Sequence, residues 1–234
     1  MHYFALLLSP EPTEAPTPEL QAAEMAAYQN FHALAAHAIR AGDALTPTAL
    51  GKRISGGPDH PIITDGPFAE GAEVAGGYYV LEADNLDEAL TLAREIPAAR
   101  YGAVEVWPMV HFTAPTEPLS GPNWIALLLE PGDQTNTPGS PEWEAKVQEH
   151  IAFGQVAGDH IKGGAPLHPT STATTVKIRD GEAVITDGPF VEGAEVANGF
   201  YLLSATDEDE AAKIASMIPA SAIELRQLAG ISGL

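Results

Sequence analysis

Hydrophobic and polar positions follow one another along this chain in a pattern that is run through twice. HYFALLL (2–8) and NWIALLL (123–129) are unbroken apolar stretches of strand length. From Pro18 to Ala41, and again from Pro141 to Gly163, the spacing turns helical, with proline near the start and glycine just past the end. With Phe31 at the centre of the stripe, a rotation of about 100° per residue sets Leu20, Ala27, Leu34, Ala35 and Ala38 on one side, predicted to cover a sheet. Short strands are expected around residues 52–55 and 62–64, then 174–179 and 183–186, the second pair joined by the turn-forming RDGE. GYYVLEA and GFYLLSA follow as strands in which alternation sends Tyr78 and Tyr79, and likewise Phe200 and Tyr201, to opposite faces. A helix over 86–96 or 208–218 and a closing strand, VEVWPM or IELRQL, end each pass.

The two passes are copies. ITDGPFAEGAEVAGGYY (63–79) and ITDGPFVEGAEVANGFY (185–201) agree at fourteen of seventeen positions. An offset of 122 carries Phe31 to Phe153, Gly42 to Gly164, Asp65 to Asp187, Tyr79 to Tyr201 and Pro97 to Pro219 without insertion. The first strands match at 121 and the last at about 119, because IPAARYGAVEVWPM shortens to IPASAIELRQL. We read repeats at 1–112 and 123–234, separated by a Pro-, Thr- and Ser-rich linker at 113–122. Strand, helix, two hairpin strands, helix, strand is the order of a split βαβ unit of the α+β class, with both helices on one sheet face. The bare face then has to be covered, and packing the two sheets on each other makes the chain a covalent pseudo-dimer.

Charge narrows the partners. Eleven basic residues against 32 acidic ones give a net charge of −21, a field that repels phosphate backbones and anionic headgroups, so neither nucleic acid nor membrane is expected as a partner. With no cysteine there are no disulfides, thiolate nucleophiles or Cys-based metal sites. The apolar N-terminal run is too short for a signal-peptide core or a membrane span, which points to a cytoplasmic protein. No GxGxxG or Walker A pattern is present, nor a nucleophile-elbow serine, and no metal or cofactor is expected.

The doubled TDGPF, the EGAEVA before an aromatic strand, STATTVKIRDG in the second copy and IPAARYGAVEVWP in the first resemble the YCII-related family, in its DGPF-motif branch, over nearly the whole chain. The resemblance implies two tandem ferredoxin-like units packed as an intramolecular dimeric α+β barrel. It also implies a small-molecule cleft between sheet and helix near the DGPF turn. Some relatives in the wider family look like cofactor-independent lyases of aromatic breakdown that use a His and Asp pair. The first copy departs from the pattern at GKRISGGPDHP, so the halves need not hold equivalent sites.

Asp65 and Asp187 have two readings: a turn carboxylate that accepts backbone N–H groups, or a general base held at the mouth of the cleft. The repeated acids Glu70 with Glu192 and Glu73 with Glu195 are too few in oxygens for a hard cation and read as solvated loop. Histidine is the natural acid/base near neutral pH, yet the histidines do not repeat: Tyr28 aligns with His150, His32 with Gly154 and Ala38 with His160. His32 sits on the flank of its helix beside Tyr28. His160 falls on the predicted sheet-facing side, either as a satisfied core histidine or as partner to Asp187 or a ligand. The candidate catalytic set is Asp65, Asp187, His32 and His160. The candidate ligand-binding set is Tyr28, His150, Tyr79, Tyr201, Phe68 and Phe190. Two functions remain open, cofactor-independent lyase or isomerase chemistry and a non-catalytic ligand- or partner-binding module with a regulatory role. A homodimer of the two-repeat chain is a further candidate partnership.

Overall fold

Two apolar strands, His2–Ser9 (β1) and Asn123–Pro131 (β7), run through the middle of two six-stranded sheets. The computed structural model describes residues 1–12, 14–67, 73–131, 136–189 and 195–231. In the first half β1 is followed by helix α1 (Pro18–Ala35), β2 (Ile39–Ala44), β3 (Lys52–Ser55), β4 (Ile62–Asp65), β5 (Val74–Glu82), α2 (Leu86–Ala93), the short α3 (Ala98–Tyr101) and β6 (Ala103–Pro108). After β7, the second half gives α4 (Pro141–Ala157), β8 (Ile161–Pro166), β9 (Thr174–Arg179), β10 (Glu182–Asp187), β11 (Glu195–Ser204), α5 (Glu208–Ala215) and β12 (Ala222–Gln227). The long helices are capped as their sequences suggest: Thr17 and Ser140 accept from the backbone N–H of Leu20 and Trp143, with proline in the first turn.

The sheets do not divide along the repeat. One runs β10-β9-β6-β1-β5-β2 and the other β4-β3-β12-β7-β11-β8, so each half lends its β3–β4 or β9–β10 hairpin to the edge of the other half's sheet. Isolated bridges Leu45–Leu228 and Met109–Leu167 then join the two sheets at both margins and close the barrel. The exchanged hairpin of the first half is anchored by charge: Lys52 reaches Glu208 at 3.1 Å, and Arg53 bonds Glu195.

Four layers follow, helix, sheet, sheet, helix, with three apolar cores between them. The central one joins Phe4, Tyr78, Trp107, Ile125, Phe200 and Leu202 from both halves, and the Phe4 and Phe200 rings stack at 4.6 Å. Phe31 and Ala35 of α1 with α2 and α3 cover one outer face; Phe153 and Ala157 of α4 with α5 cover the other. Tyr78 and Phe200 point between the sheets, while Tyr79 and Tyr201, their neighbours, point at the helices, as strand alternation requires.

Three expectations need correction. The helical stretches stop at Ala35 and Ala157, and residues 39–44 and 161–166 are strands. In the second half Gly158 adopts φ 52°, which ends the helix; in both halves the short strand segments IRAGDA and IKGGAP carry too little alternation to announce themselves. His160 is therefore not on a helix face but in a short 3-10 turn, Gly158–His160. The apolar stripe is also narrower than predicted, since Leu20 is 63 % and Leu34 55 % exposed.

Because the central core is made by both halves, the first repeat expressed alone as residues 1–112 is expected to yield no cooperative monomer. Size-exclusion chromatography should show a dimer that exchanges hairpins with its own copy, or aggregate; a monomer with a cooperative urea transition would contradict the exchanged arrangement.

Candidate functional site

A glycine makes room for the tyrosine at the centre of each site. Gly42 of β2 pairs with Tyr79 of β5, and Gly164 of β8 with Tyr201 of β11. A Cβ on Gly42 would stand 2.4 Å from Tyr79 Cδ1, and Gly164 holds φ 153°, where L side chains are strained. The phenol can thus lie across the neighbouring strand with its hydroxyl toward the helix above. Edge-on packing of Phe31 on Tyr79, at 5.1 Å, and of Phe153 on Tyr201, at 5.2 Å, fixes each ring from the helix side.

The hydroxyl then meets a histidine in both halves. Nε2 of His32 lies 2.7 Å from Tyr79 Oη, and Nδ1 of His150 lies 3.0 Å from Tyr201 Oη. These histidines do not align in the repeat. They occupy positions one helical turn apart on the same face, and each reaches the aligned tyrosine through a different ring nitrogen. Burial keeps all four groups uncharged near neutral pH. His32 is held below its ordinary value, and His150 is pushed down to about 4, by desolvation and then by Lys146. Tyr201 is pushed up to about 12 by burial, and Tyr79 is likewise raised.

The first half extends the network. Tyr28 Oη is 3.0 Å from Tyr101 Oη of α3, and Tyr101 donates to Glu24 Oε1 at 2.9 Å. Burial raises Tyr28 and pushes Tyr101 up to about 12. Neither Tyr101 nor Glu24 stands out in the sequence; their only signal is the extra length of IPAARYGAVEV over IPASAIEL.

The other candidates stand elsewhere. Asp65 ends the edge strand β4, its side chain 81 % exposed and bonded to Lys52 Nζ at 2.8 Å. Asp187 is the exposed end of β10 at the edge of the first half's sheet. His160 is satisfied by the Ser204 carbonyl at 3.0 Å, over the opposite sheet from Asp187. Within each sheet the aspartate strand lies four places from the strand that meets the histidine (β10 to β5, β4 to β11), about 19 Å at ordinary strand spacing. The aspartates are thus not brought to the histidines. The turns after them are tied by backbone, Gly66 N–H to the Gly51 carbonyl at 3.0 Å and Gly188 N–H to the Ala173 carbonyl at 2.8 Å. Phe68 and Phe190 lie outside the described residues, as do Glu70 and Glu192. Among the described residues no group of three or more His, Asp or Glu is placed to hold a metal ion.

Two outcomes follow. Gly42→Ala should displace Tyr79 and cost about 1–3 kcal/mol in urea denaturation, with the His32 imidazole resonances shifted by loss of the hydroxyl contact; an unchanged midpoint would refute the seating. His150 binds its proton later in the folded protein than in the unfolded chain. Stability is therefore lost as pH falls from about 6.5 toward 4, by on the order of 3 kcal/mol, and fully present above that window. In urea titrations across this range His150→Gln should flatten the slope, and parallel curves for the two proteins would overturn the assignment.

The YCII-related domain model matches residues 3–113 and again 131–228. An uncharacterised protein of Rhizobium meliloti (strain 1021) is 37 % identical over 91 residues, which span 37 % of this chain and 72 % of that one. Among solved structures, a putative chlorite dismutase superposes with TM-score 0.44 and 8 % identity, over 97 % of this chain and 94 % of that chain. No helix among the described residues is long and apolar enough to cross a membrane. With the domain matched twice over most of its length, the chain belongs to the YCII-related family as a tandem duplication.

Proposed function

We propose that the protein binds a small organic molecule in the crevice between helix and sheet. There a His–Tyr pair serves cofactor-independent acid/base chemistry of the lyase or isomerase kind. The observation that supports this most is the recurrence of one bond by two routes, the aligned tyrosine meeting His32 in one half and the non-aligned His150 in the other. A packing contact alone needs only an apolar group against the phenol, which Phe31 and Phe153 already supply. When the imidazole N–H donates to the phenol oxygen, the phenol proton is free to point at a bound carbonyl. As the carbonyl oxygen gains charge, the phenol O–H stabilises it or passes its proton to it, and the imidazole N–H stabilises the phenolate left behind until the proton returns. A low dielectric around the pair strengthens each of these bonds.

This reading moves the chemistry from the DGPF aspartates to the tyrosines. The exposure of Asp65 and its ion pair with Lys52 fit a structural role at the exchanged hairpin. A second reading, a binding module without turnover, is favoured by the first half, where Tyr101 already takes up the Tyr28 hydroxyl and Glu24.

A thermal-shift screen of aromatic and carbonyl metabolites, followed by turnover assays on the hits, separates the two. For the catalytic reading at least one hit is turned over, and Tyr79→Phe or Tyr201→Phe lowers kcat/KM by about 100-fold or more with little change in Tm. Hits that bind, are never turned over and are indifferent to both substitutions would establish the binding module instead.

A further inference from the structure

The halves differ most just before the closing strand. Pro97–Ala98 aligns with Pro219–Ala220 and Ala103 with Ala222, so Ala99–Gly102 of the first half corresponds to Ser221 alone in the second. In the first half those residues complete α3 and carry Tyr101, a half-exposed side chain whose hydroxyl is held on α1 by Tyr28 and Glu24. Arg179 at the tip of the incoming β9–β10 hairpin donates to the Gly102 carbonyl at 3.3 Å.

The second half lacks that tyrosine. Between α4, the Met217–Ser221 segment and the tip of the β3–β4 hairpin at Gly56–Asp59 lies a cleft of about 810 Å³, within the range of small-molecule sites. Its walls are largely apolar, with Phe153, Val156, Met217 and Pro219. Two groups that hold the Tyr101 hydroxyl in the first half, Glu24 and Tyr28, become Lys146 and His150. Lys146 and Glu149, paired at 2.9 Å, both line the cleft and offer a donor beside an acceptor. His150 is next to Glu149 in the chain, and its Nε2 makes no hydrogen bond among the described residues.

We infer that the second half is the one that receives ligand, and that its cleft takes a small phenol, an aromatic ring with a hydroxyl group, in the place held in the first half by the Tyr101 side chain. This rests on the binding reading above and adds to it the half and the ligand class. The hydroxyl meets Lys146 as donor and Glu149 as acceptor, both lining the cleft, and Lys146 stands where Glu24 holds the Tyr101 hydroxyl in the first half. Charge selects for a neutral ring: Asp59 and Glu149 outnumber Lys146 among the lining residues, and the whole chain carries −21. The volume exceeds that of a bare ring, so substituents opposite the hydroxyl fit.

The test uses 4-methylphenol, the tyrosine side chain itself, with 4-methylbenzoate as its anionic counterpart, both followed by ligand-observed NMR titration on the full chain. The phenol should bind saturably and the benzoate at least tenfold more weakly. Replacing Ser221 by Ala-Arg-Tyr-Gly introduces a tyrosine that competes for the same place and should weaken phenol binding at least tenfold. If that graft does not fold, Val156→Trp, at a 70 % exposed position, fills the cleft with the same expected result. Tyr101→Phe in the first half should leave phenol binding unchanged. No saturable binding of 4-methylphenol, equal binding of the benzoate, or binding indifferent to cleft filling would each overturn the inference. Cleft-dependent phenol binding with no turnover of any hit would sink the acid/base reading and leave this assignment standing; turnover that survives filling of the cleft would overturn this assignment alone.

Discussion

The contact between the two sheets is the constraint on which everything else depends. Each half has one sheet face covered by its helices and one made of Phe4, Leu6, Tyr78 and Trp107, or Ile125, Leu127, Phe200 and Leu202, which nothing within that half can bury. Closing these faces on each other removes both from water, and exchange of hairpins with bridging at Leu45–Leu228 and Met109–Leu167 leaves the halves no route to separate folding. The buried charge in this layer is satisfied, whereas the Trp107 indole N–H has no partner among the described residues. Arg226 is 1 % exposed where the first half has Trp107, and it is satisfied across the halves by the Thr46 carbonyl and within its strand by Glu224 at 2.7 Å.

A rigid barrel of this kind leaves the outer helices comparatively free to vary. Only Phe31 and Ala35 of α1, and Phe153 and Ala157 of α4, are buried, and Leu20, Leu34, Ile151 and Val156 stand exposed. Positions on the helix face can therefore trade roles while the strand tyrosine beneath stays fixed. That is how one tyrosine comes to be met by His32 in one copy and His150 in the other: positions four apart share a face, so the histidine can move by one turn and still reach the hydroxyl.

The duplication, the apolar strands and the opposite orientations of Tyr78 and Tyr79 are legible in the chain because each is a local pattern of period two or an explicit repeat. Tyr79, Tyr201, Tyr28, His32 and His150 were also visible as candidates, although not as pairs, since comparing aligned positions hides a partner displaced by a turn. β2 and β8 are hidden in the tails of the helices because these short strand segments have weak alternation. The hairpin exchange had no sequence signature: a β3–β4 ladder reads the same whichever sheet it joins. The DGPF aspartates drew attention by repetition, yet their repetition reports a turn beside an exchanged hairpin at least as well as a catalytic group.

The shortening from Ala99–Gly102 to Ser221 shows how asymmetry arises without loss of the barrel. The closing strands on either side of it keep their register against β1 and β7, Ala103 against Leu8 and Ala222 against Leu129, so the deletion is absorbed outside the ladder. What it removes is a surface turn and one tyrosine; what it leaves is a cleft lined by Lys146, Glu149 and Phe153. In the first half Tyr28 and Glu24 spend their polar groups on Tyr101, which stays half-exposed. A duplicated fold can thus keep one copy closed as scaffold and open the other, because the layer that sets stability and the layer that sets access are separated by a sheet.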